Sequence, residues 1–170
     1  MRTLYLMRHA KATDGGVPDK RRPLAPQGIT TAQQVGSELQ GAGIQHVLCS
    51  TSERTRQTLT HLGLRTPDGA HPVTEYMDAL YLGPASVIRQ RIGEIDDEVT
   101  VLLVVAHSPG IPQLASELAW QTSTTIADRI ACWYPTASVS RFTIEGNWAD
   151  LADGTAQVYL DDVARPTSQW

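Results

Sequence analysis

The apolar positions of this chain fall into short blocks separated by polar loops. Leu4 to Met7 is an apolar run that ends in Arg8-His9-Ala10, which reads as a buried strand with chemistry at its C-terminal end. Residues 11 to 25 hold Asp, Gly, Pro and basic side chains and read as a loop. Pro26 suits the first position of a helix, where its missing N–H costs nothing. Ile29, Ala32, Val35 and Leu39 then give one apolar face, and Gly41 and Gly43 close that helix. Val47 to Cys49 is a second short strand. Ser50-Thr51-Ser52-Glu53 fits a capping box with Ser50 as N-cap, which opens a helix to about Leu62.

Further along, His71 to Thr74 reads as an edge strand, and Val87, Ile88, Arg91, Ile92 and Ile95 mark a helix. Val101 to Ala106 is six apolar residues without polar alternation, as expected of a strand covered on both faces. His107-Ser108-Pro109-Gly110 follows, then a helix carrying Ile111, Leu114, Ala115 and Leu118. Ser108 reads as the cap of that helix. Val139, Arg141 and Thr143 against Ser140, Phe142 and Ile144 predict a two-faced strand. Gly146-Asn147 turns the chain, and Ala156 to Leu160 pairs back. Strands alternating with helices predict a single α/β domain over residues 1–160, with a mostly parallel sheet between helical layers. Residues 161–170 read as a loose C-terminal tail.

Composition narrows the function classes. The chain has 170 residues, about one domain's worth, with 41% hydrophobic and 19% charged residues and a net charge of −4. That balance argues against a nucleic-acid-coating or anionic-membrane protein. The longest apolar run is too short to span a bilayer, and Arg8-His9 fall where a signal cleavage region would be needed, so the protein is read as cytoplasmic. Cys49 and Cys132 form no CxxC pair and read as buried free thiols. Trp120, Trp133 and Trp148 read as packing residues and Trp170 as tail. No GxxxxGK, HExxH or clustered Cys/His set occurs, so neither a P-loop nor a metal site is expected. Gly41-Ala42-Gly43 ends a helix instead of opening one and is no dinucleotide fingerprint.

The chemistry gathers at strand ends. In open α/β sheets, ligands bind beyond the carboxyl ends of the parallel strands. The first strand delivers Arg8 and His9, the second Ser50 to Arg54, and the strand ending at Ala106 delivers His107. Two histidines and two arginines near helix N-termini make an anion site, above all for phosphate. A neutral imidazole there can attack phosphorus. Arg56 cannot share Arg54's helix face and reads as a solvent or supporting charge. Lys20 and Arg21 read as exposed, the role of Lys11 stays open, and His46, His61 and His71 read as surface or loop residues.

Three segments carry a resemblance: Leu6-Met7-Arg8-His9-Ala10, Cys49 to Thr58, and Val104 to Gly110. Together they closely resemble the signature segments of the histidine phosphatase superfamily, which also contains the cofactor-dependent phosphoglycerate mutases. Arg-His-Ala in place of Arg-His-Gly, Arg22-Pro23-Leu24-Ala25-Pro26-Gln27-Gly28 nearby, and the short chain look like its small SixA-type phosphohistidine phosphatase branch. The resemblance covers residues 1 to 145. It implies a three-layer α/β/α, phosphoglycerate mutase-like fold, with His9 as the phosphorylated nucleophile. It further implies that Arg8 and Arg54 clamp the phosphoryl oxygens, that His107 stabilises developing charge, and that Arg22 contacts phosphate. No metal or other cofactor is implied.

One departure bears on substrate. Larger members place an acidic residue two positions after a leucine to protonate the leaving oxygen, whereas Leu80-Tyr81-Leu82 puts a leucine there. Glu75 and Asp78 are the nearest substitutes. A missing acid favours an imidazole over an alcohol as leaving group. The expected function is therefore metal-independent dephosphorylation of protein phosphohistidine, the partner being a phosphohistidine protein. The alternatives are a small-molecule phosphomonoesterase of the same superfamily and a non-catalytic phosphate-binding module. Oligomeric state, physiological substrate and the role of the segment after Ile144 stay open.

Overall fold

The computed structural model describes residues 1–166. Its core is one six-stranded sheet in the order β3-β2-β4-β1-β5-β6. β1 (Arg2–Arg8), β2 (His46–Ser50), β3 (Val73–Met77) and β4 (Val101–Ala106) run parallel. β5 (Val139–Glu145) pairs antiparallel with β1, and β6 (Gln157–Ala164) antiparallel with β5. β4 lies between β2 and β1, so the three strands that end in chemistry-bearing residues are neighbours.

Side chains alternate across the sheet. Leu4 and Leu6 of β1 join one core cluster, and Tyr5 and Met7 the other. α1 (Pro26–Leu39) and α2 (Glu53–Leu62) cover the Tyr5 face. α3 (Ala85–Gly93), α4 (Gly110–Ala119), α5 (Thr124–Cys132) and α6 (Trp148–Asp153) cover the Leu4 face. Because β4 is covered on both faces, Leu102 to Ala106 are wholly buried and apolar without alternation. The three-layer α/β/α architecture matches the sequence reading, with Pro26 in the first turn of α1.

Several local expectations give way. α5 and α6 are not marked by the apolar pattern. α6 is announced by a capping box: Asn147 Oδ1 accepts from Asp150 N at 2.7 Å, and Asp150 Oδ2 accepts from Asn147 N at 2.9 Å. It carries Trp148 into the core, where the indole N–H donates to Val99 O at 2.8 Å. The expected tail begins too early, because residues 161–164 belong to β6, held by its ladder with β5. Residues 167–170, including Trp170, lie outside the described residues. Trp120 and Trp133 are exposed, and Trp133 instead stacks with Arg165, its ring centroid 5.2 Å from the guanidinium. Cys49 is buried as expected, but Cys132 is exposed at the end of α5. The N-cap of α2 is Ser52, accepting from Thr55 N, and Ser50 stays in β2. Pro109, without a side-chain cap bond, stands where Ser108 is expected to cap α4.

Residues 11 to 25 form a tied ribbon. Ala12 bridges Leu24, Thr13 N donates to Pro23 O at 2.9 Å, and Ala25 N donates to Lys11 O at 2.9 Å. The ribbon lies close against α1 at Gly28, where an added Cβ would stand 2.1 Å from Lys11 O. Only a glycine permits that approach. Gly28→Ala should therefore destabilise the fold by about 1–3 kcal/mol, read as a lower urea midpoint with an unchanged slope.

Candidate active site

β1 runs out at Arg8, and His9 N donates to Ala106 O at 3.0 Å, which fixes His9 beside the end of β4. The ring is buried. Its Nδ1–H donates to Ala10 O at 2.7 Å, so Nε2 keeps its lone pair. Ala10 N is in turn held by Thr58 Oγ1 at 3.0 Å, which locks this backbone to α2. Burial, joined by the charges of Arg54, Arg8 and Arg22, lowers the His9 pKa from 6.5 to about 4.

Arg54 sits in the first turn of α2 and is only 3% exposed. Its Nε donates to His9 Nε2 at 3.3 Å. Its terminal nitrogens reach Asp19: Nη1 to the backbone carbonyl at 2.8 Å and Nη2 to Oδ2 at 3.1 Å. His107 follows β4 and lies against His9, the ring centroids 5.3 Å apart. Its Nε2 is 2.8 Å from Ser50 Oγ, and its buried Nδ1 has no partner among the described residues. Burial first, and the neighbouring His9 and Arg54, lower its pKa to about 3. Arg8 Nη1 donates to Tyr134 O at 2.9 Å, while its buried Nε is likewise unpartnered among the described residues. Two neutral imidazoles and two guanidiniums thus meet at the carboxyl edge of β1, β4 and β2. The arrangement presents a nucleophilic nitrogen among donors suited to a phosphoryl group.

Arg22 is near but engaged elsewhere. Its Nε donates to Thr13 O at 2.7 Å, Nη1 to Asp19 Oδ1 at 3.1 Å and Nη2 to Asp14 Oδ1 at 3.2 Å. It adds positive charge at His9 and fastens Asp19 over the site. Arg56 donates to Thr51 O at 3.1 Å and lies 4.0 Å from the Tyr76 ring centroid. Lys11 reaches Gln27 Oε1 at 3.3 Å. Among the described residues, no group of three His, Cys, Asp or Glu side chains is placed to hold a metal ion.

The suggested acids do not join the site. Glu75 pairs with His46 Nε2 at 2.6 Å. His46 is four residues from Ser50 along β2, roughly 13 Å away at ~3.3 Å per residue, toward the opposite edge of the sheet. Asp78 accepts from Lys20 Nζ at 2.8 Å and Thr51 Oγ1 at 2.5 Å on an exposed rim. Leu82 is half exposed at φ 54°, a strained backbone for a leucine.

Asp19 and Tyr81 complete the site without being singled out for it by the sequence, and Ser50, in the stretch that β2 delivers, is expected there only as a helix cap. The Tyr81 hydroxyl donates to Asp19 Oδ2, and its ring stands edge-on to His107 at 5.5 Å. Tyr81, Arg22 and Arg54 hold the Asp19 carboxyl well below the usual carboxylate range. Asp19 stands just before the basic run Lys20-Arg21-Arg22 in a segment that reads as loop, and Ser50 fits a cap pattern equally well. Only the sharing of Arg54 and His107 reveals them.

Comparison with known proteins gives a consistent picture. Residues 4–80 match the histidine phosphatase superfamily (branch 1). An uncharacterised protein of Mycobacterium tuberculosis (strain ATCC 25618 / H37Rv) is 39% identical over 155 residues, covering 88% of this chain and 94% of that one. The phosphohistidine phosphatase SixA of Escherichia coli K12 is 29% identical over 119 residues, covering 68% and 73%. A solved structure from Nakamurella multipartitia, named as a candidate phosphohistidine phosphatase SixA, superposes with a TM-score of 0.84 at 32% identity over 98% of this chain and 97% of that one.

Two outcomes follow from the geometry. The C2–H proton resonance of His9 should titrate near pH 4, with no inflection at 6.5. Unfolded His9 takes up a proton below about 6.5, the folded ring only below about 4. Its contribution to stability is therefore complete above pH 6.5 and declines as the pH falls toward 4. Separately, Asp19 and an incoming oxyanion compete for Arg54 Nη2. Asp19→Asn should bind vanadate several-fold more tightly by calorimetry, whereas unchanged or weaker binding would show that no such competition exists.

Proposed function

Because the chain belongs to the histidine phosphatase superfamily and is a phosphatase, we propose that it removes the phosphoryl group of protein phosphohistidine through a phosphorylated His9. The observation that carries this reading is the state of the carboxyls around the site. Glu75 is tied to His46 and Asp78 to Lys20 and Thr51, and Leu82 has no carboxyl. Asp19, the acid next to the arginines, is held as an anion. Asp78, like Asp19, is held below the usual carboxylate range, by Lys20 and Thr51, so neither offers a proton at neutral pH, and Glu75 is turned to His46. An alkoxide leaving group needs such a proton, since water-like alcohols are extremely weak acids. A phosphohistidine ring protonated at its other nitrogen leaves as neutral imidazole, whose conjugate acid has a pKa of about 6.5.

In the first step His9 Nε2 forms a bond to phosphorus while the substrate's P–N bond breaks, its electron pair going to the substrate ring. Arg8 and Arg54 take the phosphoryl oxygens, and Asp19 yields Arg54 to them. His107 meets the charge that develops on an equatorial oxygen. Such transfer depends mainly on positioning and electrostatic stabilisation, which fixed guanidiniums supply. In the second step water attacks phosphorus, the Nε2–P bond breaks and orthophosphate leaves. The Nδ1–H bond to Ala10 O keeps a proton on His9 throughout, so His9 itself departs as neutral imidazole.

The deciding experiment compares phosphate release from a phosphohistidine peptide and from an aryl phosphate monoester, for the unaltered protein and His9→Ala, without added metal. Release from phosphohistidine at least about tenfold faster, and lost in His9→Ala, is expected, since placing one general acid is worth ~10²–10⁴-fold to an ester. Faster release from the ester would make the protein a phosphomonoesterase. Vanadate binding without turnover of either would leave a phosphate-binding module.

A further inference from the structure

The Ser50 hydroxyl is fully buried and lies 2.8 Å from Nε2 of the second histidine. Four groups share a small set of protons here, and their distances decide who donates. Thr55 Oγ1 donates to Ser50 O at 2.7 Å, with Ser52 O also near at 2.9 Å. Thr55 Oγ1 therefore accepts in its 2.7 Å contact with Ser52 Oγ, which uses the Ser52 proton. Ser52 Oγ additionally accepts from Thr55 N at 3.3 Å, as the cap of α2. It has no proton left for His107, which lies 3.5 Å away. Ser50 Oγ accepts a long bond from Ser52 N at 3.4 Å and keeps its own proton. The acceptor within reach of that proton is His107 Nε2 at 2.8 Å.

The opposite assignment leaves more undone. Were His107 to carry its proton on Nε2 and donate to Ser50, the Ser50 hydroxyl proton would have no acceptor in this network. Nδ1 has no partner among the described residues in either tautomer, so the two arrangements differ by the one orphaned Ser50 proton, and an unsatisfied buried polar group costs roughly 1–3 kcal/mol. A neutral imidazole has one N–H, and the bond made by one nitrogen decides which nitrogen holds it.

We propose that Ser50 is a positioning residue: its hydroxyl donates to His107 Nε2, which places the ring's single proton on Nδ1 and makes Nδ1–H a donor to a phosphoryl oxygen. This rests on the phosphoryl-transfer reading of the site but not on phosphohistidine as the substrate. Ser50 touches no reacting atom. It selects the tautomer of a group that does, and the depressed pKa of His107 is consistent with a ring that has one proton to place. Ser50 is also the last residue of β2, next to β4 in the sheet, so its place in the ladder brings it to His107. The same position explains why it cannot serve as the helix cap.

The test reads the tautomer directly. Long-range ¹H–¹⁵N correlation spectra of ¹⁵N-histidine protein at pH 7, without substrate, should show His107 protonated on Nδ1, with assignment by His107→Gln. Vanadate should shift that Nδ1–H resonance. Ser50→Ala should move the proton wholly or partly to Nε2 and lower kcat roughly 10- to 100-fold on the faster phosphoryl substrate, with KM within about twofold, because a charge-stabilising donor is lost. A His107 protonated on Nε2 in the unaltered protein overturns the proposal. So does an Ser50→Ala protein with unchanged tautomer or unchanged kcat. Should Ser50→Ala fail to fold, the unaltered protein still decides: an Nδ1–H resonance unmoved by vanadate overturns it. Failure of the phosphohistidine reading appears separately, as a substrate preference that leaves the tautomer unaffected.

Discussion

A guanidinium buried to 3% exposure is the constraint around which this molecule is arranged. Arg54 cannot shed its charge, and an unpaired buried cation is very unfavourable. The fold answers with a bound counter-anion, Asp19, and with an imidazole that stays neutral beside the charge. Asp19 can be there only because the ribbon from residue 11 to 25 is tied at Ala12–Leu24, at Thr13–Pro23 and at Lys11–Ala25, and because Gly28 lets it lie flat against α1. The loop is as much a part of the charge balance as the strands are.

The same constraint explains the chemistry. A site that keeps a cation buried with one exchangeable carboxylate is poised to accept a different oxyanion in its place. Burial and the cationic surroundings together keep His9 a free base well below neutral pH, so the nucleophile we propose needs no general base. The hydrogen bond to Ala10 O decides which nitrogen is free. Parallel pairing of β2, β4 and β1 then sets His107 between Ser50 and His9, a juxtaposition the sheet order alone produces.

Much of this was written in residue order. The run from Val101 to Ala106 has to be an interior strand, since no other short element hides six apolar residues in succession. Pro26 followed by apolar positions at helical spacing has to start a helix, and the elements alternate in a way that admits an α/β sheet. Arg8-His9, Arg54 and His107 stand directly after strands or in the first turn of a helix, so their meeting at one sheet edge follows from the topology rule for parallel strands. α5 is harder to read, because Ile126 and Cys132 are exposed and its apolar face amounts to little more than Ala127 and Ile130.

What the sequence determined by itself, then, was the set of strand-end residues, because position along a periodic element is a local property. Tertiary structure alone decided which polar side chains pair. Asp19 and Asp78 are both acids close to basic neighbours in sequence or space, yet one faces Arg54 and the other an exposed lysine. Ser50 and Ser52 both fit a helix cap, yet one caps and the other meets His107. A hydrogen bond requires a partner within about 3.5 Å at a suitable angle. Partners separated by 35 residues, as Asp19 and Arg54 are, or by 57, as Ser50 and His107 are, come within that range only once the whole sheet has closed.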